Sequence, residues 1–248
     1  MNTHIDGVAQ TYFQLGKAAH FLGLGALLNY SGELLDGKLV REIEASVADV
    51  PEFETKKFDS VFDFRFYRIF VYALVRAVRP AVFIESGILH GLTSTFILEA
   101  LARNGCGQLI SADLPSYPET GPSNKDGCFA VLPRGKEPGW VVPSAKAAKW
   151  RKVKGASASV LPPILEQVGS IDVFLHDSEH TAQTMFEELQ LGWKHLREGG
   201  ILICDNSDMS SAFHDLVDRH RCPFVQFSTC DRHYLDAVNL GVAVKESR

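Results

Sequence analysis

A short polar segment, HDSEH at 176–180, carries side chains that could bind a metal, accept a proton or hold a substrate. His176 and His180 are candidate general bases because histidine titrates near neutral pH, and Asp177 is a third catalytic candidate. A structural hydrogen-bonding role is the alternative for both histidines. The segment also fits the zinc-peptidase pattern H-x-x-E-H, which needs both histidines on one helical face. His176 directly follows the strand pattern IDVFL, so we expect no peptidase site.

A second polar segment, CDNSD at 204–208, follows another apolar run. Asp205 and Asn206 offer a carboxylate and an amide oxygen, and Asp177 adds another carboxylate if the two segments end neighbouring strands. Hard oxygen ligands of this kind suit Mg²⁺ or another divalent cation such as Ca²⁺. The alternative is that Asp205 and Asn206 cap the helix that follows them.

The third feature is the turn VFIESGILHGLTS at 82–94, in which Gly87 and Gly91 link a strand pattern to a helix pattern. Such a turn lets the backbone approach a ligand and points free N–H groups at it. Its spacing, G-x-x-x-G, differs from the dinucleotide pattern G-x-G-x-x-G, which holds a pyrophosphate. Glu85 at the strand end suits a cationic neighbour such as the ammonium group of a methionine tail, or a surface salt bridge. Asp113 at the next strand end suits two ribose hydroxyls.

Alternating strand and helix patterns position these residues from Ala81 onward. The predicted strands are 81–86, 108–113, 150–155, 171–175, 201–204, 224–230 and 239–245. The predicted helices are most of 8–48, then 64–78, 92–104, 158–168, 181–197 and 208–220. This order predicts an α/β fold with a mostly parallel seven-stranded sheet, helices on both faces and a C-terminal antiparallel hairpin. Ligands bind such sheets at the carboxyl ends of the strands, where the polar segments lie.

The chain divides into an N-terminal helical extension at 1–63 and a main domain at 64–248. Within the main domain, residues 114–149 hold ten glycines or prolines and show little periodicity. A connection of this length inside a compact domain is often functional. It is either a lid or substrate wall, or a variable surface insertion.

Composition argues against several classes of protein. The net charge of −5 is unlike that of a nucleic-acid binder. The apolar segment 66–78 carries two arginines and is too short to span a bilayer, and the first ten residues do not fit a signal peptide. Five cysteines without a C-x-x-C pair indicate reduced thiols, so we expect a cytoplasmic protein. From the charge and the apolar segments we expect it to bind neither nucleic acid nor membrane. The apolar N-terminal helices could pair two subunits in a homodimer or a higher homo-oligomer.

Six segments in order resemble the class I S-adenosylmethionine-dependent methyltransferases, in the small-molecule branch that includes macrocin O-methyltransferase-like proteins. They are FIESGILHGLTSTFILEAL, LISADLP, PGWVVP, KGASASVLPPIL, IDVFLHDSEHT and HLREGGILICDN. Together they span about 82–206, half of the chain. The resemblance implies the Rossmann-like methyltransferase fold. The turn departs from the common E-x-G-x-G-x-G because Leu89 stands where a glycine often sits.

The resemblance also implies roles for individual residues. The loop at the methionine end of the cofactor would comprise Glu85, Ser86, Gly87 and Gly91, and His90 would either touch the cofactor or cap the helix. Asp113 would hold the ribose. Ala156 and Ser157 would lie against the adenine, and His176 would also line the cofactor site. Asp177, Asp205 and Asn206 resemble the metal triad of cation-dependent O-methyltransferases, although His176 precedes Asp177 where those enzymes often have the ligand acid.

We therefore expect transfer of a methyl group from S-adenosylmethionine to a small molecule, at a hydroxyl group and with or without a divalent metal. Two other classes share the expected fold. A nicotinamide-dependent oxidoreductase would keep Asp113 but lacks its glycine pattern here. A non-catalytic methyltransferase fold would serve as a binding module.

Overall fold

The computed structural model of the protein describes residues 3–50, 66–121, 125–126, 131–230 and 237–246. Its centre is a seven-stranded sheet in the order β3-β2-β1-β4-β5-β7-β6. The strands are β1 (Val82–Ser86), β2 (Gln108–Asp113), β3 (Trp150–Lys154), β4 (Ile171–His176), β5 (Leu196–Cys204), β6 (Phe224–Cys230) and β7 (Ala237–Val244). The first five run parallel, and β7 is antiparallel to both of its neighbours, β5 and β6. The predicted fold class is confirmed.

Helices cover both faces of the sheet. They are α1 (Thr3–Leu22), α2 (Leu27–Gly32), α3 (Lys38–Val47), α4 (Phe66–Val78), α5 (Leu92–Asn104), α6 (Ser157–Val168), α7 (Ala182–His195) and α8 (Ala212–His220). A short 3₁₀ helix at Ser144–Lys149 leads into β3. Neighbouring residues of one strand enter opposite cores: Phe83 packs with α1 to α5, whereas Ile84 packs with α6 to α8. This two-sided burial explains why central parallel strands such as β1 and β4 carry continuous apolar runs.

Two predicted boundaries are wrong. We expected Gly199 and Gly200 to end a helix at 197, but α7 ends at His195 and β5 begins at Leu196. Leu196 already pairs with Ile171 of β4, and the two glycines exchange backbone hydrogen bonds with Lys245, so sheet pairing overrides the glycine signal.

The helix expected at 208–220 begins only at Ala212, with Ser211 as its N-cap residue. Residues between β5 and α8 form a turn, in which Asn206 adopts a left-handed φ of 51°. Asp205 and Asn206 therefore do not cap α8. The alternative role that the sequence left open for them is excluded, and both remain candidates for ligand binding.

The N-terminal helices pack directly on the sheet and on α4. Gln14 of α1 donates to the backbone carbonyl of Ser228 in β6 at 2.9 Å. Glu33, just after α2, accepts hydrogen bonds from Tyr72 and Arg76 of α4, at 2.6 and 2.8 Å. The expected division between 63 and 64 lies outside the described residues and, like the oligomeric state, stays a prediction.

Within the described part of the chain, no helix is both long and apolar enough to cross a lipid bilayer. The cytoplasmic location stays a prediction.

Candidate active site

The turn between β1 and α5 is closed by Asp113, at the end of β2. One carboxylate oxygen, Oδ2, accepts the backbone N–H groups of Ile88 and Leu89, each at 2.6 Å. Burial raises the pKa of Asp113 above its ordinary value, against the lowering effect of these two donors. Asp113 thus lies beside the glycine turn at the carboxyl edge of the sheet. That Asp113 binds the ribose of a cofactor stays a prediction.

Gly87 and Gly91 allow two close backbone approaches within the protein. A Cβ on Gly87 would lie 1.8 Å from the carbonyl oxygen of Asp177, at the end of β4. A Cβ on Gly91 would lie 2.6 Å from the Cα of Gly139, in the long connection. Both glycines also have left-handed φ values, 88° and 87°. The turn therefore packs closely against the end of β4 on one side and against the connection at 114–149 on the other.

Glu85 lies beneath this turn, 1% exposed. Its Oε2 accepts hydrogen bonds from Ser94 at 2.7 Å and Ser111 at 2.6 Å. Burial raises the pKa of Glu85 to about 8, and the two serine hydroxyls offset only part of that effect. These contacts give Glu85 a role inside the fold, and its predicted contact with the methionine end of a cofactor stays a prediction.

Three side chains near the N-terminus of α5 were not singled out from the sequence. The hydroxyl of Tyr67, on α4, donates to Oδ2 of Asp177 at 2.6 Å and lies 2.9 Å from Oγ1 of Thr93. Arg68, partly buried, donates Nε to the same Thr93 hydroxyl at 3.3 Å. A guanidinium beside a helix N-terminus favours an anion, so this corner suits a carboxylate. The available signal was Arg68, a charge inside an apolar helix pattern.

His90 contacts the long connection. Its Nδ1 accepts a hydrogen bond from Nε1 of Trp140 at 3.0 Å. The N–H of Gly139 donates to the carbonyl of Leu89 at 2.9 Å, and that of Val141 to the carbonyl of His90 at 3.1 Å. Burial, with a smaller contribution from Arg68, lowers the pKa of His90 to about 4. The His90 ring is therefore neutral near pH 7 and serves as an acceptor for this segment of the connection.

A buried carboxylate on α7, which the sequence analysis missed, joins three of the segments around the site. Glu188 is 2% exposed. Its carboxylate accepts hydrogen bonds from Ser86 at the end of β1, Ser157 at the start of α6 and Ser178 after β4, and it lies 2.7 Å from Nδ1 of His176. Burial opposes ionisation, but His176 and the serine hydroxyls lower the pKa of Glu188 below its ordinary value.

The two histidines of HDSEH occupy different elements. His176 is the last residue of β4 and is fully buried, whereas His180 lies in the turn before α7. This separation excludes the zinc-peptidase arrangement on one helix. Their rings pack edge to face with centroids 5.4 Å apart. Nε2 of each ring is buried and has no hydrogen-bond partner among the described residues.

Asp177, His180 and Asp205 converge at the ends of β4 and β5. Each offers one ligand atom, and these atoms all lie within 4.8 Å of one another. Two carboxylates and an imidazole are ordinary metal ligands, and the orphaned Nε2 of His180 fits a cation, so these residues suit a divalent metal. Asn206 directly follows Asp205 in the same turn, and its role as a ligand stays a prediction.

The predicted adenine residues lie at the start of α6. Ala156 is the N-cap residue of this helix and Ser157 is its first residue. Ser157 donates its hydroxyl to Glu188. Their cofactor role therefore stays a prediction.

A parallel sheet closed by one antiparallel strand, with a glycine turn after its first strand and polar residues at the strand ends, is the arrangement of the class I methyltransferase fold. The sequence model of a family described as a methyltransferase domain matches residues 84–207, half of the 248-residue chain. The chain belongs to this methyltransferase family. The resemblance to S-adenosylmethionine-dependent methyltransferases is thereby confirmed.

Solved structures share the fold at low sequence identity. TomG, an O-methyltransferase from Streptomyces achromogenes solved with S-adenosylmethionine, has a TM-score of 0.55 and 12% identity over 85% of this chain and 90% of that chain. An O-methyltransferase from Bacillus cereus, solved with S-adenosylhomocysteine, has a TM-score of 0.52 and 13% identity over 84% and 90%. The methyltransferase PaMTH1 from Podospora anserina, also bound to S-adenosylhomocysteine, has a TM-score of 0.52 and 12% identity over 84% and 88%. No curated protein matches the sequence.

Proposed function

We propose that this protein transfers the methyl group of S-adenosylmethionine to a hydroxyl group of a small molecule, assisted by a divalent cation. The observation that carries the proposal is the meeting of Asp177, His180 and Asp205 within 4.8 Å at the sheet edge that also bears the glycine turn. O-methyltransferases among the structural neighbours support the choice of a hydroxyl acceptor.

The cofactor would lie across the ends of β1, β2 and β4. Asp113 would accept the ribose hydroxyls, since a carboxylate has lone pairs for both. Arg68 and the N-terminus of α5, through Thr93, would receive the methionine carboxylate. Ala156 and Ser157 would lie against the adenine.

The sulfonium methyl group is already activated, so the protein must hold an acceptor oxygen in line with it. When bound, a divalent cation supplies Lewis acidity that favours the deprotonated form of a nearby hydroxyl. Asp177 and Asp205 would hold this cation, with Asn206 as the third ligand expected from the sequence. Full burial of His176, with Nδ1 beside Glu188, favours a structural role for that ring. His180 lies beside the carboxylates of Asp177 and Asp205, where it can either accept the proton of the acceptor hydroxyl or bind the cation.

Calorimetry of the intact protein with S-adenosylmethionine and, separately, NADH tests the cofactor assignment. We expect binding of the former alone. Asp113→Asn should weaken that binding at least about tenfold by removing a charged acceptor, while Asp215→Asn on the exposed face of α8 should not. Because Asp113 also closes the turn, an unfolding curve of the variant must accompany the titration.

Release of S-adenosylhomocysteine with a panel of alcohols and phenols then tests the acceptor class. Absence of S-adenosylmethionine binding by the wild-type protein, or tighter binding of NADH, would overturn the proposal. Methylation confined to amine or carbon acceptors would overturn the hydroxyl assignment.

A further inference from the structure

We infer that His180 is itself a metal ligand through Nε2, held in place by Asp126, and that the site therefore selects a transition-metal dication such as Mn²⁺, Co²⁺ or Zn²⁺ over Mg²⁺. The inference rests on the metal assistance in the proposed function, and it replaces the all-oxygen ligand set expected from the sequence. It also takes His180 out of the role of general base.

The spacing of the cluster is compatible with a shared cation. Asp177 follows β4, Asp205 follows β5, and His180 lies three residues beyond Asp177. Each of the three residues offers one ligand atom, and these three atoms all lie within 4.8 Å of one another. Bonds from such metals to nitrogen and oxygen are about 2.0–2.2 Å long, so two ligands on opposite sides of the ion are about 4.0–4.4 Å apart. Small side-chain adjustments would close the remaining gap.

The second observation concerns the other nitrogen of the ring. Nδ1 of His180 lies 3.3 Å from Oδ2 of Asp126, and the same oxygen accepts the backbone N–H of His180 at 2.8 Å. The Asp126 side chain is only 2% exposed. A carboxylate beside Nδ1 favours the tautomer protonated there, which leaves the lone pair on Nε2. Metal-binding histidines commonly have such a carboxylate partner.

Nε2 itself is buried and has no hydrogen-bond partner among the described residues. A buried ring nitrogen with an unused lone pair costs free energy unless something binds it. The His176 ring, packed edge to face against it, restrains the plane in which the lone pair points. A cation shared with Asp177 and Asp205 would satisfy this nitrogen.

The chemistry of the ligand set determines the choice of metal. Mg²⁺ and Ca²⁺ prefer oxygen ligands, whereas imidazole suits zinc and the later first-row metals. Mn²⁺ also takes oxygen ligands, but it accepts an imidazole more readily than Mg²⁺ does. Tyr67 already donates to Oδ2 of Asp177 at 2.6 Å, which leaves Oδ1 as the oxygen better placed to coordinate. The set is therefore one imidazole nitrogen with carboxylate oxygens, a mixture that disfavours Mg²⁺.

Asp126 belongs to the long connection at 114–149. Lys125, its neighbour, also donates its backbone N–H to Glu179 at 3.1 Å. The connection therefore contacts the end of β4 as well as the glycine turn. Metal affinity should consequently depend on a residue outside the strand ends that supply the ligands.

The test titrates the full-length, chelator-treated protein with Mn²⁺ and Mg²⁺ in the calorimeter, without cofactor. We expect Mn²⁺ to bind more tightly, and His180→Gln to reduce the preference for Mn²⁺ over Mg²⁺ at least about tenfold. Asp126→Asn should weaken Mn²⁺ binding by about 10- to 100-fold. His214→Gln, an exposed histidine on α8, is the matched control and should change neither value.

Pulsed EPR of the Mn²⁺-loaded wild-type protein needs no variant. It should show ¹⁴N modulation from a coordinated imidazole. Absence of that modulation, failure of Mn²⁺ to bind, or an unchanged metal preference in a folded His180→Gln variant would each overturn the inference. If the metal-binding and EPR results contradict the inference while S-adenosylmethionine still binds and is turned over, the assignment as a methyltransferase stands. Failure of the wild-type protein to bind S-adenosylmethionine would overturn that assignment separately.

Discussion

Leu89 occupies the place in the β1–α5 turn where many methyltransferases have a glycine, and it adopts the backbone conformation that favours glycine. Its φ is 48°, in the left-handed region, which costs a residue with a side chain about 1 kcal/mol or more. The conformation is held by Asp113, which accepts the N–H of Leu89, and by Gly139, which donates to its carbonyl. The turn therefore keeps its shape without the missing glycine.

Gly87 offers the sharpest test of this turn. In Gly87→Ala, the new Cβ would lie 1.8 Å from the carbonyl oxygen of Asp177, so the turn must move away from the end of β4. We expect a loss of about 3 kcal/mol or more in the free energy of unfolding, measured by urea denaturation. Weaker metal and cofactor binding should accompany it because Asp177 shifts.

Gly105→Ala is the matched control. Gly105 also has a left-handed φ, 71°, but a Cβ there meets nothing within 4 Å. It should lose only about 1 kcal/mol, from the backbone conformation alone. Equal losses in the two variants would show that contact with Asp177 does not constrain Gly87.

At the scale of elements, the connection between β2 and β3 is part of the site. Residues 139–142 of this connection lie beside the glycine turn. Two backbone hydrogen bonds and the side-chain hydrogen bond from Trp140 to His90 join them to it. Earlier in the connection, Asp126 accepts the backbone N–H of His180. These contacts show that the connection packs against the candidate site, and its role as a lid or substrate wall stays a prediction.

Trp140→Phe tests whether the indole N–H holds this segment of the connection against the turn. The change removes the donor to Nδ1 of the half-buried His90, so the free energy of unfolding should fall by about 1–2 kcal/mol. Hydrogen exchange should quicken at the amides of Gly139 and Val141, as measured by mass spectrometry of that segment. Trp193→Phe, in the core on the opposite face of the sheet, should leave this exchange unchanged. Equal exchange in Trp140→Phe and the wild type would contradict the assignment.

At the scale of the whole molecule, Glu85 should make stability depend on pH. Its pKa is raised from 4.5 to about 8 in the folded protein because it is buried. Over that range the folded state holds a proton that the unfolded state has released. The free energy of unfolding should therefore fall as the pH rises, by at most about 1.4 kcal/mol per pH unit from this residue.

Glu85→Gln should remove this contribution. We expect its urea-derived free energy of unfolding to fall less steeply than that of the wild type between about pH 5 and pH 8. Glu166→Gln, on the exposed surface of α6, controls for the general loss of one negative charge. Parallel curves for Glu85→Gln and the wild type would mean that the folded protein does not keep Glu85 protonated.

The sequence by itself determined the order of strands and helices and the residues at the strand ends. Continuous apolar runs alternating with helical periodicity permit few arrangements other than a two-sided parallel sheet, and the carboxyl ends of its strands meet at one edge. Asp113, Asp177 and Asp205 were predictable for that reason. The boundaries at 196 and 212 were not, because pairing across the sheet outweighed the local glycine and capping signals.

Only the tertiary structure decided which side chains meet. Glu188 gathers hydroxyls from three segments, Tyr67 reaches Asp177 across 110 positions of sequence, and Asp126 comes from a connection without periodicity. Spacing along the chain fixes the face on which a residue lies, but not which distant side chain fills the space opposite. That choice depends on close packing and on the need to pair buried polar groups, which are properties of the assembled fold.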